Sequence, residues 1–166
     1  MSRKIHISGQ MPPQWRQGIA ELSGDLAMEL SGDGMEIACV QGDCLAVESD
    51  GVRVRLTWRT PVEFYRGLSL IPEPLAACDI RQQSRFESCG VMLDCSRNAV
   101  LKPEAIQFIL RKMALMGLNL AMLYTEDTYE VPEQPFFGYK RGRYTFQELK
   151  ALDDYADIFG IELCPC

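Results

Sequence analysis

Apolar positions along this chain recur with two different periods, and the switches between them mark out the elements. Lys4 to Ser8 reads as a short strand. The Pro12-Pro13 pair then opens a helix in which Trp15, Ile19, Leu22 and Leu26 recur at helical spacing, forming one apolar face. Gly32 to Gly34 breaks that pattern, and Met35–Val40 and Cys44–Glu48 are strand candidates. Asp50-Gly51 is a hairpin turn signal. Beyond it, Val52, Val54, Leu56 and Trp58 alternate with Arg53, Arg55, Thr57 and Arg59. That period of two predicts a sheet with one buried face and one basic, solvated face. Thr60-Pro61-Val62-Glu63 supplies an N-cap, a proline at the first helical position and a capping-box glutamate. The helix it starts carries Phe64 and Leu68 and ends before Pro72. Residues 1–80 therefore read as a small α+β domain. Residues 73–86, with Gln82-Gln83-Ser84, nearby prolines and little periodicity, read as a linker.

Residues 81–166 form a second unit of different character. Strands are expected at Val91–Leu93, Leu118–Tyr124 and Ile161–Cys164, each a short apolar run of the kind covered on both faces. One helix starts at Pro103, buries Ile106, Ile109, Leu110 and Met113, and stops at Gly117. A second starts at Thr145 with Glu148 as its capping-box partner, buries Leu149, Leu152, Ala156 and Phe159, and stops at Gly160. The order is β-α-β-α-β with right-handed crossovers. The unit is expected to be the first part of a larger α/β domain, since three parallel strands leave two open edges. The alternative is a small three-layer sandwich in which residues 1–80 cover the sheet.

Charge and hydroxyls gather behind two of these strands, as Asp94-Cys95-Ser96-Arg97 and as Tyr124-Thr125-Glu126-Asp127-Thr128-Tyr129-Glu130. Parallel α/β folds bind ligands at the carboxyl ends of their strands. Arg97 is the leading candidate for binding, because a guanidinium offers a planar fork of donors that spans two adjacent hydroxyls. A salt bridge to Glu126 or Asp127 is its competing role. Glu126 and Asp127 are neighbours and would point to opposite faces of a strand, unless the strand has ended. Asp94 precedes Arg97 and is the candidate for fixing its guanidinium. Tyr124, Tyr129 and Tyr139 offer ring faces for stacking on a ligand, with packing as the commoner use of such rings. The run Lys140-Arg141-Gly142-Arg143 reads as a solvated loop that anchors carboxylates.

Composition narrows the classes. With 166 residues, 47% hydrophobic and 24% charged, the chain is ordinary globular protein. A net charge of −6 argues against nucleic acid and anionic membrane as partners. No signal-peptide pattern follows Ser2-Arg3-Lys4, and no apolar run reaches the length of a membrane span. The seven cysteines (39, 44, 78, 89, 95, 164 and 166) then read as reduced, buried thiols of a cytoplasmic protein. Cys164-Pro165-Cys166 has the wrong spacing for a zinc knuckle, and His6 reads as structural, so no metal and no cofactor is expected. No glycine-rich loop follows any strand, which removes a phosphate-binding reading.

The segment Cys89-Gly90-Val91-Met92-Leu93-Asp94-Cys95-Ser96-Arg97 resembles the first barrel strand of glycoside hydrolase family 20, the β-N-acetylhexosaminidases. There an Arg-Gly pair and apolar residues lead into Leu-Asp-x-Ser-Arg. Cys89 stands here in place of the arginine, which removes a structural salt bridge. Tyr124-Thr125-Glu126-Asp127 resembles the family's paired acids after strand two, with Glu126 where many members have aspartate. The insert from Tyr129 to Tyr144 and the run Leu152-Asp153-Asp154-Tyr155-Ala156 resemble a bacterial branch. Residues 1–80 resemble the small α/β domain that precedes the barrel in many members.

The resemblance implies a (β/α)8 TIM barrel, here truncated, and an exo-acting enzyme that releases terminal GlcNAc or GalNAc. In that chemistry the substrate's own acetamide oxygen attacks the anomeric carbon, with retention, an exception to the usual two-carboxylate scheme. An Asp-Glu pair on the fourth strand orients the acetamide and serves as acid/base. That strand is not among these residues, so no catalytic residue is expected in the chain and the fragment alone is expected to be inactive. Arg97 would hold the terminal sugar's hydroxyls, Glu126 would buttress the catalytic region and Asp127 would brace loops. The other class of function is a non-catalytic module that binds carbohydrate or self-associates, covering its open sheet edge as a homo-oligomer.

Overall fold

The computed structural model describes residues 2–97 and 99–166. The chain runs β1 (Arg3–Gly9), α1 (Trp15–Glu21), α2 (Ser23–Leu26), β2 (Met28–Leu30), β3 (Met35–Gln41), β4 (Leu45–Asp50), β5 (Val54–Trp58) and α3 (Pro61–Leu70). It continues with β6 (Ala77–Gln82), β7 (Gly90–Asp94), α4 (Pro103–Met116), β8 (Leu120–Tyr124), α5 (Phe146–Asp157) and β9 (Glu162–Pro165). Two sheets result, one of six strands in the order β2-β1-β3-β5-β4-β6 and one of three parallel strands in the order β7-β8-β9.

The first sheet is mixed. β2, β1, β3 and β5 are parallel, and β4 is antiparallel to both β5 and β6. The expected linker over residues 73–86 is corrected here, because Ala77 to Gln82 pairs with β4 along its whole length. Only Cys78 and Ile80 of β6 are even half-buried. A polar edge strand carries little apolar alternation, so periodicity does not reveal it. Val52 is also corrected: it is exposed. Asp50 Oδ1 accepts from the backbone N–H of Val52 (2.8 Å) and Arg53 (2.7 Å), which holds these residues in the turn and starts the strand at Val54.

The helices form the middle of the molecule. α3 packs on β4 and β5, and Trp15 stacks against Trp58 and Phe64 at 4.6 Å each. On its other side α3 meets α4. Tyr65 reaches further, donating to the carbonyl of Ile158 at 2.9 Å and packing its ring against Phe159. Gly18 makes room for it, since a Cβ there would lie 2.1 Å from the Tyr65 hydroxyl. Polar contacts run beside this core: Arg111 donates to Tyr155, Tyr155 donates to Glu21, and Lys112 donates to Asp25. The layers are thus sheet, helices, helices, sheet, around one continuous core. The sandwich alternative is not formed, because residues 1–80 lie against α4 and α5 rather than on the second sheet.

The second sheet has unequal faces. Ala121 and Leu123 are fully buried toward the helices, with Val91, Leu93 and Leu163 packed beside them. The opposite face carries Met92, Met122 and Cys164 in one row across the three strands. Met92 is 56% exposed. Gly90 lets β7 approach β8, since a Cβ there would lie 1.7 Å from the Leu120 carbonyl oxygen. Ile109 and Leu149, expected in the core, are half-buried at the borders of their helix stripes.

The expectation of buried thiols is corrected as well. All seven cysteines are free, but only Cys39 and Cys95 are buried, and Cys89 and Cys166 are exposed at strand ends. Burial pushes the Cys39 thiol up to about 12, so it stays protonated at neutral pH. Among the described residues no helix is long and apolar enough to cross a membrane.

Candidate functional site

The two polar clusters meet where β7 and β8 end side by side, with Asp94 opposite Tyr124 in register. Asp94 Oδ1 accepts from the backbone N–H of Ser96 (2.9 Å), the Ser96 hydroxyl (2.9 Å) and the backbone N–H of Arg97 (3.2 Å). Asp94 Oδ2 lies 3.7 Å from Arg97 Nη1. These donors, the Ser96 N–H first, hold the Asp94 carboxyl below the usual carboxylate range. The Arg97 guanidinium carbon sits 5.1 Å from the centre of the Tyr124 ring. Arg97 is thus steered by a carboxylate and by a ring, yet its side chain is 66% exposed. Such a cation–π contact contributes about 0.5–1 kcal/mol at an exposed position, enough to bias a rotamer. The fork is oriented and left open to a ligand.

Tyr124 serves two neighbours. Its ring faces Arg97, and its hydroxyl donates to Glu126 Oε1 at 3.0 Å. Glu126 has a φ of +49°, in the left-handed region, so β8 has ended and the strict alternation of strand faces no longer governs Glu126 and Asp127. Asp127 Oδ1 lies 3.0 Å from Arg141 Nη1. Among the described residues no N–H is aligned for a hydrogen bond to that buried oxygen, so charge holds the pair. The ion pair weighed between Arg97 and either acid is absent: Arg97 turns to Asp94, and Asp127 to Arg141.

Hydroxyls tie the strand ends together. Thr125 donates through its N–H (2.6 Å) and its hydroxyl (3.2 Å) to the carbonyl of Cys166. Buried Thr128 lies within hydrogen-bond distance of the carbonyls of Cys95 (3.0 Å) and Thr125 (2.8 Å). The insert closes on itself through a bridge between Tyr129 and Tyr144. Tyr144 is buried and donates to the Leu101 carbonyl at 2.5 Å. The insert also touches the site: a Cβ on Gly138, which has a φ of +63°, would lie 2.1 Å from the Asp127 carbonyl oxygen. The capping box of Thr145 and Glu148 then starts α5.

Arg97, Asp94, Glu126 and Asp127 are therefore gathered at one edge of one sheet. Sequence reasoning did not identify Arg141 as the partner of Asp127, nor Thr125 and Thr128 as the ties. The two threonines three residues apart around a pair of acids were the available signal. Among the described residues no three His, Cys, Asp or Glu side chains gather in a way that would hold a metal ion. An apolar groove of about 300 Å³, lined by Leu123, Phe146, Leu149, Leu163 and Pro165 with Lys150 and Asp153, shares no residue with this cluster.

No protein-family profile matches the chain, and a search of curated proteins finds no match to its sequence. Its fold is that of the N-terminal part of glycoside hydrolase family 20 enzymes. Chitobiase from Flavobacterium johnsoniae aligns over 99% of this chain and 31% of its own, with a TM-score of 0.76 and 18% identity. The exo-β-N-acetylglucosaminidase of Vibrio harveyi, solved with N-acetylglucosamine, aligns over 99% and 32%, with a TM-score of 0.77 and 16% identity. The N-acetyl-β-hexosaminidase of Streptomyces plicatus, solved with thio-NAglucal, aligns over 99% and 42%, with a TM-score of 0.76 and 18% identity. The chain thus spans less than half the length of each of these proteins.

Proposed function

We propose that this chain is the sugar-positioning part of an exo-β-N-acetylhexosaminidase, a cytoplasmic glycoside hydrolase built on a (β/α)8 barrel. β7, β8 and β9 are the barrel's first three strands, and residues 1–80 are the domain in front of it. The enzyme removes terminal GlcNAc or GalNAc by substrate-assisted, retaining hydrolysis. Its Asp-Glu pair lies on a strand outside these 166 residues. Arg97 holds two neighbouring hydroxyls of the terminal sugar. Asp94 fixes the arginine, Glu126 braces the region of the reaction through Tyr124, and Asp127 secures the insert through Arg141.

The observation that carries the reading is the exposed Arg97 fork, held between Asp94 and the Tyr124 ring at the carboxyl ends of parallel strands. Such strand ends are where barrel enzymes bind their substrates. The family 20 fold over 99% of the chain supports a carbohydrate as the class of substrate.

A chromogenic N-acetyl-β-D-glucosaminide tests the reading. The 166-residue chain alone is expected to give no turnover. The parent reading frame, extended by the ~200 residues a full barrel needs, is expected to be active. In that longer enzyme Arg97→Ala is expected to lower kcat/KM about a hundredfold, the cost of removing charged hydrogen bonds. Turnover by the short chain would overturn the placement of the catalytic pair outside it. An unchanged kcat/KM in Arg97→Ala would overturn the role of Arg97.

A second reading, a non-catalytic module that self-associates, is favoured by the row of Met92, Met122 and Cys164 left open on one sheet face. Sedimentation separates the two. A concentration-dependent dimer that Met92→Lys dissociates supports the module.

A further inference from the structure

Sulfur is concentrated on the open face of the three-stranded sheet. Met92, Met122 and Cys164 stand side by side there, in register across β7, β8 and β9. The pairing runs one step past β9. The Cys166 N–H donates to the Leu123 carbonyl at 2.8 Å, and the Cys166 carbonyl accepts from the Thr125 N–H at 2.6 Å. Backbone that stays extended through Pro165 turns Cys164 and Cys166 to the same face. The Cys164 thiol points along the strand in the direction of Cys166, 3.9 Å from the Pro165 carbonyl oxygen. Both thiols are free, and neither is buried.

Spacing decides what two such thiols can do. Two residues of parallel strand advance about 6.6 Å. A disulfide usually joins Cα atoms about 5.5–6 Å apart, through an S–S bond of about 2 Å. A strand pinned on both sides of Cys166 resists being drawn in for that bond. An ion between two thiolates reaches further, since two bonds of about 2.3 Å, the length of a zinc–thiolate bond, hold their sulfurs up to about 4.6 Å apart. Soft thiolate and thioether sulfur favours soft ions, Cu(I) among them.

We propose that Cys164, Cys166 and the Met122 thioether bind a soft monovalent cation of the Cu(I) class at the carboxyl end of the second sheet. Each thiol releases its proton to solvent as it ligates the ion. Met122 adjoins Cys164 in register, and its unbranched side chain is flexible enough to bring its sulfur to the same ion. Zinc fits poorly. Structural zinc takes four ligands, and among the described residues no three His, Cys, Asp or Glu side chains gather. The site does not depend on the sugar reading, since it uses none of the residues given to the sugar.

Anaerobic titration of the reduced 166-residue chain with Cu(I), in competition with a chromogenic chelator, tests the proposal. A single ion per chain is expected. C164S and C166S are each expected to weaken binding about a hundredfold, and M122L about tenfold, the range of losses seen when the surroundings of a bound metal are altered. C89S, at the opposite end of the same sheet, is expected to bind like the native chain. In the native chain the ion is expected to shield Cys164 and Cys166 from alkylation and to leave Cys89 reactive, as read from peptide masses. A loss in C89S equal to that in C164S would overturn the site, because binding would then be shared among exposed thiols. Displacement of Cu(I) by Zn(II) at equal concentration, or alkylation of both cysteines undiminished by the ion, would overturn it too. A Cys164–Cys166 disulfide formed under mild oxidant, with the fold intact, would overturn the spacing on which the site is built.

Discussion

The six-stranded sheet covers one face with α1 and α3 and turns Lys4, His6, Glu36 and Arg55 to water on the other. The three-stranded sheet covers one face with α4 and α5 but turns Met92, Met122 and Leu120 outward. In the first, polar and apolar residues alternate, and each strand is complete as it stands. In the second, the outward row of Met92, Met122 and Cys164 is apolar as well, with Asp94 and Glu162 as the charged residues of that face, close to the composition of strands covered twice. Each Å² of apolar surface left in water forgoes roughly 25 cal/mol. The difference teaches that the two sheets share a core without sharing a design: one face of the smaller sheet is made for burial.

The largest test of this contrast is the shared core itself. Phe159 is fully buried, between Tyr65 of the first unit and Tyr155 of the second. Phe159→Ala is expected to cost about 3–5 kcal/mol and to shift a single denaturant transition. Two transitions, only one of them displaced, would break the picture of one core. Gly90→Ala comes next, at about 2–3 kcal/mol, because its methyl group would collide with the Leu120 carbonyl and force β7 from β8. Urea unfolding measures it, and a variant as stable as the native chain would deny the close strand contact. Thr145→Ala removes an N-cap and is expected to lower stability by about 1 kcal/mol, read from the same curves. Met92→Gln, on the open face, is expected to move stability by no more than about 0.5 kcal/mol while raising solubility. A cost of several kcal/mol there would mean that the face is already covered.

The smallest effect concerns pH at the site. Asp94 is held below its ordinary value, so its contribution to order is present above about pH 3.9. It fades only as pH falls through the lower value of the folded chain. The Asp94 carboxyl resonance is expected to titrate with a midpoint under about 3.9. A midpoint at or above that would remove the donors of Ser96 and Arg97 as its cause.

What was legible in the sequence was local. The capping boxes at Thr60 and Thr145 lie within four residues, and Gly117 and Gly160 stop their helices at φ +79° and +70°. The Asp94 turn onto Ser96 and Arg97 is equally short-range. β6 was missed because an edge strand needs few apolar residues, and β2 because three residues show no period. The pairing of Asp127 with Arg141 depends on how a long insert folds back, which no spacing encodes. The exposure of Cys89 and Cys166 likewise follows from their places at strand ends rather than from their apolar neighbours.

Thr125 and Thr128 grip backbone carbonyls of Cys166 and Cys95, not side chains. The frame of the strand ends therefore does not depend on which residues stand between the two threonines. The side chains at positions 126 and 127 take no part in those threonine hydrogen bonds. Glu126 and Asp127 reach from this frame to different partners, Tyr124 and Arg141. The rim behaves as a fixed socket that carries its charged side chains outward.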